Sequence, residues 1–100
     1  MADAQAAYRS AQESGAAEDP QALLHLKLAE EQFARGKTLL AQEENRRADF
    51  LFIRSKADAE LALAMAQERT TRLAAEAAKN RATEELQKQS VPPATQEVQQ

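Results

Sequence analysis

The chain carries one histidine, His25, set between Leu24 and Leu26. A lone imidazole works as a ligand or general base only where other groups converge on it. The nearest carboxylates, Glu30 and Glu31, are neighbours in sequence, so on a helix they point about 100° apart and form no pair. The Glu-x-x-His spacing of carboxylate-bridged metal sites is missing. With no cysteine there is no thiolate nucleophile and no zinc-binding thiolate set. Ser10, Ser14, Ser55 and Ser90 lack the glycine-flanked elbow that exposes a nucleophilic serine. The two glycines, Gly15 and Gly36, stand 21 residues apart, which excludes a phosphate-cradling loop. These observations predict no catalytic residue, no metal or cofactor ligand, no cofactor and no small-molecule substrate. His25 is read as a boundary residue that packs its ring against a neighbouring helix.

Two surfaces remain. Arg46 and Arg47, with Arg54 and Lys56 on the following turns, make a basic cluster that Asp49, Asp58 and Glu60 dilute. It is read as a solvated helix face, and a net charge of −3 gives no field that would draw nucleic acid. The second surface is a stripe of mostly small residues, Phe52, Ser55, Ala59, Ala62 and Ala66, at helical spacing. It is predicted to be exposed and to dock a partner helix. The expected partner is a protein, or a second copy held through the third helix, and no nucleic acid is expected.

The elements that must position these groups are all helical. Residues 2–14 are good helix formers ending before Gly15, a natural left-handed cap. Asp19-Pro20 is a start signal, with Asp as N-cap and Pro at the first helical position. The second helix is predicted from Pro20 to Ala41, with Ala22, Leu26, Ala29, Phe33, Gly36 and Leu40 at alternating four- and three-residue steps along one seam. Phe33 is its expected buried aromatic, and Gly36 permits close helix approach. A turn at Gln42–Asn45 leads into a third helix that nothing interrupts from Arg46 to about Gln89. Its first half, read as the bundle partner, has two apolar faces: Phe50, Ile53, Ala57, Leu61 and Ala64 on one, and Leu51, Ser55, Ala59, Ala62 and Ala66, mostly small, on the other. From Gln67 onward the large apolar residues are Leu73, Leu86 and the late valines, and opposite charges recur at i,i+4 (Glu68–Arg72, Arg72–Glu76, Arg81–Glu85, Glu84–Lys88).

Composition supports that scheme. Of the 43% hydrophobic residues, 23 are alanine, which favours helix and buries little area. One Ile and two Val leave little from which to build a sheet. The fold class is therefore all-α: an elongated three-helix bundle built on a long helical hairpin, with the third helix extended as a charged stalk and a disordered C-terminal tail. Residues 1–66 form the predicted core, 67–89 the extension, and 90–100, which contain Pro92-Pro93, the tail. Met1-Ala2-Asp3 begins no signal peptide. The protein is expected to be cytoplasmic if Met1 is the native start.

Three blocks of residues carry a resemblance: Gly15-Ala16, Pro20 opening the second helix, and Ala57-Asp58-Ala59-Glu60-Leu61-Ala62 in the third. Over about residues 4–75 the chain resembles an uncharacterised family of short alanine-rich domains in bacterial envelope lipoproteins. Some of these precede an outer-membrane-protein-A-like peptidoglycan-binding domain. The resemblance implies a non-enzymatic structural or protein-interaction module, periplasmic and outer-membrane-anchored. Membrane contact would come only through a lipid anchor outside this chain. Glu43-Glu44-Asn45 stands where that family's turn has Gly-Asp, which predicts a more helical loop. Two other functions fit the residues. One is an amphipathic lipid-coating protein, which needs broad Leu/Phe faces with basic rims; the other is a cytosolic helical adaptor or chaperone.

Overall fold

The computed structural model describes the backbone of residues 1–99 and the side chains of residues 1–89. The protein is all-helical, with no strand among the described residues. Helix α1 spans Ala2–Glu13, a 3₁₀ turn spans Ala16–Glu18, α2 spans Pro20–Ala41 and α3 spans Asn45–Gln99. The helix continues to Gln99, past its predicted end near Gln89, and the side chains of residues 90–100 lie outside the described residues. The chain divides into two units, Met1–Arg69 and Thr70–Gln100.

Local chemistry accounts for the helix ends. Gly15 takes the left-handed φ of 83° just past α1, and its N–H bonds the Gln12 carbonyl at 3.1 Å. Asp19 precedes Pro20 as expected, but its side chain makes no capping bond; its carbonyl accepts from Leu23 N–H at 2.8 Å. The chain turns between α2 and α3 at Gln42–Asn45 as predicted, and the loop is not more helical there. Glu43 adopts φ 64°, its N–H reaches Leu40 O at 3.0 Å, and Glu44 N–H reaches Leu39 O at 2.9 Å. These two bonds form a Schellman cap, so a glutamate holds the left-handed position that glycine fills at little cost.

Alanine dominates the core of the first unit. Buried alanines come from every element: Ala4 and Ala11 of α1, Ala16 of the 3₁₀ turn, Ala22 and Ala29 of α2, and Ala48, Ala59, Ala62 and Ala66 of α3. Leu26 and Phe52 are the larger apolar side chains among them. Residues this small let helix backbones come close, so contact is gained by proximity where side-chain bulk is lacking. Gly36 marks the tightest point. A Cβ built there would lie 2.7 Å from Phe52 Cε1 and 2.9 Å from its Cδ1. Phe52, not Phe33, is the buried aromatic; Phe33 is half-buried and packs against it with the rings tilted at 54° and their centroids 5.3 Å apart.

Along α2 the expected seam holds at Ala22, Leu26, Ala29 and Gly36, while Gln32 takes the buried place in the row and Leu40 is exposed. In the second unit, residues 70–89 are exposed, Leu73 and Leu86 included. There Lys88 Nζ lies 3.9 Å from Glu85 in place of the expected Glu84.

Candidate functional site

The small-residue face of α3 is oriented opposite to the sequence expectation. Phe52, Ser55, Ala59, Ala62 and Ala66, predicted to form an exposed docking face, are all buried; Phe52 is 6% and Ser55 1% exposed. What docks on this face is the chain itself. Ser55 Oγ donates to Ala29 O of α2 at 2.7 Å, Gly36 receives Phe52, and Ala62 and Ala66 cluster with Ala11, Ala16, Ala22 and Leu26. The physical reason is close approach: a helix lined by Ser and Ala can seat against other alanine-lined helices, whereas a Phe/Ile/Leu face would hold them apart.

The other apolar face of α3 points outward. Phe50 is 59% exposed, Ile53 67% and Leu61 42%, with Ala57 and Ala64 exposed on the same side. Spacings of three and four residues place all five on one stripe of α3, opposite the buried face. Isolated exposed apolar residues are ordinary; here three large ones, Phe50, Ile53 and Leu61, line up facing water.

Beside that stripe lies a groove of about 360 Å³ between α2 and α3, lined by Arg35, Leu39, Arg46, Arg47, Phe50, Leu51 and Arg54. It contains three members of the predicted basic cluster and adds Arg35 from α2; Lys56 instead borders a hollow on another side with Asp3, Asp49 and Ile53. Arg47 is loosely paired to Glu44 at 3.9 Å, and among the described residues no carboxylate lies within 4 Å of Arg35, Arg46 or Arg54. The Arg54 guanidinium sits over the Phe50 ring, 5.8 Å from its centroid. Arg46 and Arg47 occupy the first turn of α3, which contains no acidic residue. Cations there oppose the helix dipole at a cost of roughly 0.3–1 kcal/mol each. Local stability therefore does not explain them. Arg35 escaped the sequence reading because it lies across a turn from the others. The available signal was the hairpin itself: an antiparallel return brings Arg35 level with Leu51, one turn from both Arg47 and Arg54.

The remaining polar groups tie helices together. His25 Nδ1 lies 3.1 Å from Asp58 Oδ1, so the half-buried imidazole links α2 to α3. Tyr8 of α1 donates to Glu30 of α2 at 3.2 Å. Partial burial, then the Glu30 charge and this hydrogen bond, raise the Tyr8 hydroxyl above its usual value. Arg69 and Glu18 approach to 3.8 Å. Gln32 is buried, and its Oε1 accepts no hydrogen bond among the described residues. No three His, Asp or Glu side chains among the described residues converge to hold a metal ion, and no helix is long and apolar enough to cross a membrane.

The first unit is thus an all-helical hairpin with a third short helix and an alanine core. Residues 1–78 match the family described as "Domain of unknown function (DUF4398)", and the chain belongs to that family. No curated protein and no solved structure matches the chain.

Proposed function

We propose that this domain is a non-enzymatic structural and protein-interaction module that presents the outward stripe of α3 to a protein partner or to a second copy. The observation that carries the reading is the line of exposed Phe50, Ile53 and Leu61 on a helix whose other apolar face is already filled. A stripe of this width matches the apolar face of one partner helix laid along α3. The proposed setting is a bacterial envelope lipoprotein on the periplasmic side of the outer membrane. Its support is the match of Gly15-Ala16, Pro20 and the Ala57–Ala62 block to alanine-rich envelope domains.

Photo-crosslinking in cells tests the module, with p-benzoylphenylalanine placed at position 53 or 61 of the whole native gene product. A discrete adduct from both positions, and none from position 79, is expected. Equal yields at all three, or none at any, would remove the stripe as a docking surface. Fractionation of the same cells tests the setting, since recovery in the cytosol would exclude the envelope.

A further inference from the structure

We infer that the arginine-lined groove at the turn end of the α2–α3 hairpin binds a phosphate group carried by a molecule with an apolar part. Arg35, Arg46, Arg47 and Arg54 all line one groove of about 360 Å³, within the size range of small-ligand sites. A structural cluster would bring its own counter-charges, yet among the described residues only Arg47 has one within 4 Å, Glu44 at 3.9 Å and half-exposed. Arginine forks match oxyanions bidentately, and a phosphate offers enough oxygens to engage more than one fork, where a carboxylate is satisfied by one. The groove is also partly apolar: Leu39 and Leu51 line it, and Phe50 carries Arg54 across its ring face, which restricts that guanidinium before any ligand arrives. Phosphate on the guanidinium groups and hydrocarbon against Leu39, Leu51 and Phe50 would occupy the groove together. A phospholipid headgroup and a soluble phosphate ester share this chemistry. The site stands apart from the outward stripe, sharing Phe50, and the two can fail separately.

The test pairs calorimetric titration with inorganic pyrophosphate at constant ionic strength and co-sedimentation with phosphatidylglycerol or phosphatidylcholine vesicles. The groove variant is Arg35→Gln/Arg54→Gln; both residues are exposed, so the fold should survive, and unchanged helicity checks this. The control, Lys79→Gln/Arg81→Gln, removes the same charge from the second unit. Binding should weaken at least about tenfold in the groove variant, as expected for loss of two charge-assisted contacts, and less than about twofold in the control. Pyrophosphate binding alone assigns a soluble phosphate, and added pelleting on phosphatidylglycerol assigns a lipid headgroup. Binding of neither probe, pelleting on phosphatidylcholine alone, or equal losses in both variants would overturn the proposal.

Discussion

Replacing Gly36 by alanine separates two effects of opposite sign. In an exposed helix the change gains about 1 kcal/mol of propensity. Here the new methyl would lie 2.7, 2.9 and 3.1 Å from three carbons of Phe52, where carbon contacts are optimal near 3.5–4.0 Å. The ring would have to retreat by roughly 0.8 Å to restore that spacing. It is 6% exposed and already lies against Phe33 at 5.3 Å between centroids, so little room is open to it. Overpacking of this kind costs about 1–3 kcal/mol, which leaves a net loss of roughly 0–2 kcal/mol. In a Phe52→Leu background the clash is relieved, and the same Gly36→Ala change should then stabilise by up to about 1 kcal/mol. A double-mutant cycle measured by urea unfolding and far-ultraviolet circular dichroism should report a coupling of about 1–3 kcal/mol. If Gly36→Ala stabilises equally in both backgrounds, the two helices do not meet at Gly36 and the packing described for α2 and α3 is wrong.

Other substitutions probe other features. Glu43 holds φ 64°, and Glu43→Gly should raise stability by about 0.5–1 kcal/mol in urea unfolding, since glycine avoids the left-handed penalty but loses more entropy on folding. Gln32→Met keeps length and helix propensity while removing a buried acceptor without a donor; a gain of about 1 kcal/mol is expected, and a loss would show that the amide is satisfied in solution. Tyr8 is the sole tyrosine, so absorbance at alkaline pH follows it alone: it should ionise above the usual value of about 10, and Glu30→Gln should bring it down. Because the fold favours the neutral hydroxyl, its contribution to stability is complete below the unfolded value and is lost as pH rises through the raised one. Tyr8→Phe should therefore flatten the alkaline fall in the urea midpoint.

Much of the fold is legible in residue types. Pro20 and Gly15 punctuate the chain as their backbone restrictions require, and α2 runs from Pro20 to Ala41 as its pattern predicts. Gly36 on the seam also reads correctly, because a missing side chain there has a single structural use. The orientation of α3 does not read correctly. Its two apolar faces have the same period, and periodicity identifies faces without choosing between them. Hydrophobic size favours burying Phe50, Ile53 and Leu61, but backbone proximity favours Ser55, Ala59, Ala62 and Ala66, and α1 and α2 are lined with alanines that can use it. The turn's place reads correctly but its backbone does not: Glu43 has no propensity for a left-handed position, and the bonds from Glu43 and Glu44 back to Leu40 and Leu39 impose it. The groove needs the hairpin pairing before Arg35 can join Arg46, Arg47 and Arg54.

The inward and outward faces of α3 can be told apart in one labelling measurement, because the chain has no cysteine of its own. Ser55→Cys places a thiol of similar size on the buried face, and Ile53→Cys places one on the exposed stripe. The rate of reaction with a thiol reagent, under native conditions, compares them directly. The packing described here predicts that position 53 reacts close to the rate of a free thiol, and position 55 at least about a hundredfold slower, limited by opening of the first unit. Rapid labelling at 55 with protection at 53 would mean that the large residues face inward, and the outward stripe would cease to exist as a surface.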